Sequence, residues 1–204
     1  MAFTWQKFAN IFVGGKLRLG KQASIIIQNA DNTESTVDLT DLGVVAGLTA
    51  TATEINRACD VSARLVAAGS TLAVTVAAHD GKTILLDTAA GSTCTLPAAT
   101  GSGARIRFAV SVKPTSNQHR ITVTGNDAFY GSINILDLDA AAQAAYAAGS
   151  DADQLNLNGT TTGGQIGDFV TVEDVAADKW QVFGQAVCPA GSNPATPFAT
   201  GQVT

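Results

Sequence analysis

Residues Lys82 to Val112 read KTILLDTAAGSTCTLPAATGSGARIRFAVSV, and the fold class follows from how this stretch is punctuated. Lys82 to Asp87 (KTILLD) is a short buried strand, and Ala89 to Ser92 is a turn. Thr93 to Leu96 (TCTL) is a second strand. Pro97 stops it, because proline has no N–H to give to a ladder. Thr100 to Gly103 is a flexible Gly/Ser loop. Arg105 to Val112 then alternates with a period of two. Ile106, Phe108, Val110 and Val112 point inward, and Arg105 and Arg107 point to solvent.

The same pattern continues on both sides. Upstream, Thr71 to Ala77 (TLAVTVA) alternates as a strand and meets the turn His79-Asp80-Gly81. Downstream, Pro114 to Gln118 is a loop, and His119 to Thr124 (HRITVT) is a strand with Ile121 and Val123 inward. Gln154 to Asn158 is a short strand, and Thr160 to Gly164 (TTTGG) is a turn. Asp168 to Val172 and Trp180 to Phe183 flank Asp174 to Lys179 as a final hairpin. Short strands at this spacing predict an all-β chain with a β-sandwich or jelly-roll-like domain over residues 71–187. Its expected core is Val74, Ile84, Leu86, Leu96, Ile106, Phe108, Val110, Ile121, Val123, Val170, Val172, Trp180 and Val182. No internal repeat of 20 to 50 residues is visible.

Outside this domain the composition changes. Residues 1–47 read as an extended N-terminal arm, with Phe3, Trp5, Phe8, Ile11 and Phe12 in one short stretch that Gly14 and Gly15 break. Within it, Ala23 to Gln28 (ASIIIQ) and Thr36 to Leu39 (TVDL) form a candidate hairpin across Asn29 to Asn32. Residues 48–70 read as one short helix and a linker. Thr51-Ala-Thr-Glu54 has the capping-box spacing, and Ile55, Ala58 and Cys59 share a face. Leu136 to Ala148 (LDLDAAAQAAYAA) admits two readings. Its alanines favour helix, whereas its position between strands favours a long surface excursion. Residues 188–204 read as an extended tail.

The charge balance limits the partners. The net charge is −5, and charged residues are only 14% of the chain. Nucleic acid binding needs clustered Lys and Arg, so it is not expected. No apolar run approaches the ~20 residues of a membrane helix, and residues 1–20 hold no apolar core of signal-peptide length. Synthesis and assembly in the cytoplasm are therefore expected. Lys7, Lys16, Arg18 and Lys21 make the arm basic, while the stretch from Ile121 to Asp178 carries nine acids and no Lys or Arg. The two could meet across a subunit contact, or both could be solvated surface.

Candidates for chemistry are few. Cys59, Cys94 and Cys188 have no zinc spacing and read as free thiols packed as small hydrophobes. His79 and His119 sit at strand edges or turns with no nucleophile motif nearby. Asp151, Asp153, Asn156, Asn158 and Gly159 imitate a cation loop. Leu155 and Thr162 stand where EF-hand ligands belong, so the segment reads as a solvated acidic turn. Thr162-Gly163-Gly164 lacks the Lys and helix of a phosphate loop. Arg105 and Arg107 read as the solvent side of their strand, with an ion pair to acids of a neighbouring chain as the alternative. No metal, cofactor or catalytic residue is expected.

Two stretches resemble a known family. Leu48 to Asn56 (LTATATEIN) resembles a segment of tailed-bacteriophage virion proteins. His79 to Pro97, Arg105 to Val112, His119 to Gly125, Phe129-Tyr130-Gly131 and Thr160 to Gly184 resemble the β-domains of phage structural proteins. The likeness is greatest to capsid decoration (cement) proteins. It implies a non-enzymatic homotrimer on the capsid exterior, bridging neighbouring copies of a major capsid protein. A head-fibre or tail-fibre module that binds a host receptor is the alternative. On the decoration reading the arm makes the contacts, through Trp5, Phe8, Ile11, Phe12, Lys16, Arg18 and Lys21. Fully burying one such apolar side chain is worth roughly 1.5–3 kcal/mol. Ordering the backbone costs about 1–2 kcal/mol per residue, so strand pairing through Ser24 to Gln28 and ionic contacts must add to it.

Overall fold

The computed structural model describes residues 24–28, 34–38, 55, 64–140 and 142–201, the first two segments as backbone. The chain divides into two compact units, Met1–Cys59 and Asp60–Thr204. In the first unit β1 (Ser24–Gln28) pairs antiparallel with β2 (Glu34–Asp38), with Ile26 opposite Thr36. This is the hairpin expected in the arm. The helix expected over Leu48 to Ala63 lies outside the described residues, apart from Ile55, which is helical.

The second unit holds two mixed sheets around one apolar core, an all-β, sandwich-like architecture. Its first half is a flattened coil. The strands β3 (Leu65–Ala67), β5 (Thr83–Leu86) and β7 (Arg105–Val110) lie parallel in one sheet. The strands β4 (Thr71–Ala73), β6 (Thr93–Thr95) and β8 (His119–Thr122) lie parallel in the other. The chain alternates between sheets at every step, and each crossing returns it to the same direction. Stacking aligns like with like: Val66 beside Ile84 beside Phe108, and Leu72 beside Cys94 beside Ile121.

The second half closes both sheets. In the seven-stranded sheet β12 (Phe169–Ala176) and β13 (Lys179–Cys188) form an antiparallel hairpin beside β7. Strand β9 (Ala128–Asp137) runs parallel to β13, and β10 (Ala142–Ala147) caps that edge, giving the order β10-β9-β13-β12-β7-β5-β3. In the five-stranded sheet β11 (Gln154–Leu157) and β14 (Phe198–Ala199) complete the order β14-β11-β8-β6-β4. Gly131 is where β9 can lie so close to β13. Its φ is +130°, and a Cβ there would run into the Val182 carbonyl oxygen.

All thirteen residues expected in the core are buried, Ile84, Leu86, Ile106, Phe108, Ile121, Val172 and Trp180 completely. Several local expectations are corrected. Thr71 to Ala77 is not one strand. β4 ends at Ala73, and Thr75 caps a single helical turn, α1 (Val76–His79), accepting from the Ala78 N–H at 3.3 Å. The β-structure of the second unit begins at Leu65, inside the stretch read as linker, and the tail contributes β14. The alanine-rich segment is neither helix nor irregular excursion but strand β10. The Asp137 carboxylate accepts from the Asp139 N–H at 3.0 Å and turns the chain back, and Tyr146 packs on the core.

Buried carboxylates hold the crossovers. The loop from β6 to β7 is held at Ala99 by Asp127, whose Oδ2 accepts its N–H at 2.7 Å. Asp174 on β12 is fully buried. It accepts from the backbone N–H groups of Thr100, Gly101 and Ser102 at 2.7–3.1 Å and from the hydroxyls of Thr100 and Ser102. Burial alone would push its pKa up. The bonds from Ser102, Gly101 and Thr100 outweigh that and hold it down to about 2. A carboxylate held that far below its usual 3.8 contributes stability that is complete above pH 4 and is lost as pH falls towards 2. The size of this contribution is about 2 kcal/mol. Asp174→Asn should therefore cost at least about 2 kcal/mol in urea unfolding at pH 7, and the gap to the parent should narrow steadily between pH 4 and pH 2. A pH-independent gap would show that the charge is not what holds the loop.

Candidate functional site

The seven-stranded sheet turns one face to the core and the other outward. Along β13 exposure alternates strictly. Trp180, Val182, Gly184, Ala186 and Cys188 are buried, and Lys179, Gln181, Phe183 and Gln185 are exposed. The register extends this face across the sheet. One row runs Ala147, Ser132, Phe183, Thr171, Arg107, Thr83, Leu65; the next runs Ala145, Asn134, Gln185, Phe169, Ala109, Leu85, Ala67. These rows are amide, hydroxyl and apolar, with Arg107 the single charge in them.

The cations on this face are drawn onto it. Arg107 lies 4.0 Å from the centroid of the Phe169 ring, and Lys179 lies 5.7 Å from that of Tyr130. Arg105 donates through Nε to Glu173 at 3.0 Å, and Nη2 makes a second bond to the same oxygen. Arg105 thus pairs with an acid of its own sheet. So exposed a pair contributes at most about 1 kcal/mol.

Phe183, Leu136 and Ile166 are 46%, 43% and 72% exposed. Leu136 and Ile166 border a hollow of about 470 Å³ at the start of β12, with Phe169, Gln185 and Val187 on its wall. Asp168 lies at its base, accepting the N–H groups of Gly164, Gln165 and Val187 at 2.8–3.2 Å. Its pKa is raised, because burial outweighs those three donors.

The arm residues expected to make contacts, Trp5, Phe8, Ile11, Phe12, Lys16, Arg18 and Lys21, lie outside the described residues. The two histidines stand at a turn and a strand edge, His79 at the end of α1 and His119 at the start of β8, and both are buried. His119 Nδ1 accepts the Ser92 N–H at 3.1 Å, and Nε2 donates to the Val112 carbonyl at 2.8 Å. Both ring nitrogens are thus occupied by backbone. His79 Nδ1 lies 3.0 Å from the Thr75 N, closing α1 on itself. Cys94 and Cys188 are free and completely buried, and burial, with Asp87 adding to it, pushes the Cys94 thiol up to about 12. Among the described residues no group of three or more His, Cys, Asp or Glu could hold a metal ion, and no helix is long and apolar enough to cross a membrane. Asn156, from the imitation cation loop, instead accepts from Gln118 and Arg120.

Comparison with family models, with characterised proteins and with solved structures returns no match.

The outward sheet face was legible only in part. Arg105 and Arg107 marked it, but its extent depends on the β9–β10 hairpin, which joins the sheet through the pairing of β9 with β13 some fifty residues away. His119 carries a pH prediction. Burial lowers its pKa below 6.5, against smaller opposing effects of the Val112 carbonyl and Asp87. Its contribution to stability is complete above pH 6.5 and is lost as pH falls below that value. His119→Gln should flatten the dependence of the urea midpoint on pH between 7.5 and 5; an unchanged slope would assign that dependence elsewhere.

Proposed function

We propose that this chain is a non-enzymatic structural protein of a phage virion, a decoration protein that bridges neighbouring capsid subunits. The observation that carries the proposal is the outward face of the seven-stranded sheet. Seven strands about 4.8 Å apart span roughly 29 Å. With a mean strand length of roughly 20 Å the face offers about 600 Å², close to the ~800 Å² that each partner contributes to a standard interface. Its groups cost little to desolvate, because amides and hydroxyls can re-pair across a contact and its cations already have partners.

The sequence supports the same reading from another direction. The phage-like segments include β5, β6, β7 and β8 of the strands that build the coil. The arm combines large apolar groups with Lys16, Arg18 and Lys21, a composition suited to a second, acidic partner surface. Two attachment elements on one chain would let it hold two neighbours at once, and binding only the assembled shell stabilises that shell by linkage. A homotrimer on the capsid exterior is part of this proposal.

The test is co-sedimentation with shells that lack the protein. Removing residues 1–22 should leave the second unit folded but weaken shell binding by at least ten-fold. Phe183→Glu, on the exposed sheet face, should do the same without changing the unfolding free energy by more than about 0.5 kcal/mol. Binding that survives both changes would overturn the proposal.

A further inference from the structure

A second surface lies on the other sheet and plays no part in the shell-docking proposal. The turn at Ala90-Gly91, the loop Thr115–Gln118 and Asn158 after β11 converge beside the outward face of β6 and β8. They enclose an open cleft of about 580 Å³, within the usual range for small-molecule sites. Thr93, Thr115, Ser116, Asn117 and Asn158 line it together with one cation, Arg120.

The cleft is rigid. The Thr115 N–H donates to the Ala89 carbonyl at 2.8 Å, tying the two loops together. Asn158 is fixed by Thr160, Thr161 and Thr162: its Oδ1 accepts the Thr160 and Thr162 N–H groups, and its Nδ2 donates to Thr161 Oγ1. Gly91, at φ +97°, sits so close to the next turn of the coil that a Cβ would lie 2.5 Å from the Gln118 carbonyl oxygen. Asn156 Oδ1 accepts from Gln118 Nε2 at 3.0 Å and from Arg120 Nε at 3.1 Å, which orients the guanidinium. The terminal nitrogens of Arg120 then have no protein acceptor among the described residues, and no carboxylate among them pairs with it.

The chemistry selects a ligand class. One guanidinium whose two terminal nitrogens have no acceptor among the described residues matches one carboxylate. Nucleic acid would need several cations along its backbone. The hydroxyls and amides around Arg120 both donate and accept, which suits the ring hydroxyls of a sugar. We propose that this cleft binds an acidic oligosaccharide, with Arg120 taking a uronic-acid carboxylate and the surrounding hydroxyls and amides taking the ring oxygens.

Titration calorimetry of the full chain with trigalacturonic acid tests this, with maltotriose and tetraglutamate as controls. Saturable binding of trigalacturonic acid is expected, at least ten-fold tighter than either control. Arg120→Gln should weaken it at least ten-fold. Ser116→Trp, which places an indole in the cleft from an exposed loop position, should do so without touching the strands. No binding of trigalacturonic acid, binding indifferent to both variants, or equal binding of maltotriose would overturn the proposal. Equal or tighter binding of tetraglutamate would overturn it in favour of an acidic protein segment. Each result is independent of shell co-sedimentation, which Phe183→Glu reads on the opposite sheet.

Discussion

The buried carboxylate of Asp174 is the constraint on which the fold turns. The β6–β7 crossover carries the chain from one sheet to the other, and Asp174 gathers its backbone N–H groups at Thr100, Gly101 and Ser102. Asp174 satisfies all three from a strand more than seventy residues away, and so fixes where β7 must lie relative to β12. Asp127 does the same at Ala99, and Asp168 pins the approach to β12. Trp180 completes the arrangement by donating from Nε1 to the Pro97 carbonyl at 3.3 Å. A chain with so few charges thus commits several acids to holding loops, not to ion pairs. Acid is the condition under which Asp174 lets go; Asp127 and Asp168, with raised pKa values, have the opposite dependence.

The core was legible because it is made of short strands with one buried face, and a period of two is visible over four residues. Ile106, Phe108 and Val110 illustrate this: each is buried, and each intervening residue is partly or fully exposed. The coil was not legible. Its turns differ in length, from Leu65 to Thr83 and then from Thr83 to Arg107, so no repeat appears in the sequence although the strands stack in register. Strand β3 is three residues long and β14 two, and neither can show a period. Thr75 broke an alternation that Val74 and Val76 appear to continue, because a hydroxyl placed to cap a turn looks no different in sequence from one on a strand. In β10 a hairpin with β9 and the packing of the half-buried Tyr146 on the core overrode the helix preference of alanine.

The two candidate surfaces have different origins. The outward face of the seven-stranded sheet arises from residues that are individually bland, and only the register of β9, β13, β12 and β7 assembles them. Arg107 and Lys179 would mark it as ordinary solvated surface were they not laid over Phe169 and Tyr130. The Arg120 cleft arises from loops, and its one charged group stands at the end of the last basic stretch before a long acidic one. Sequence reasoning passed over it because Arg120 sits in an unremarkable alternating strand and its orienting partner, Asn156, was read as part of an acidic turn.

The central claim is that this chain is a shell-bridging protein that docks through the seven-stranded sheet. A three-dimensional map of the particle that carries it addresses that claim directly. The account predicts the two-sheet unit at the shell surface, with Phe183, Gln185 and Phe169 buried against a neighbouring subunit. A map that places the unit elsewhere on the particle, or that leaves this sheet face open to solvent while the chain is bound, would contradict it.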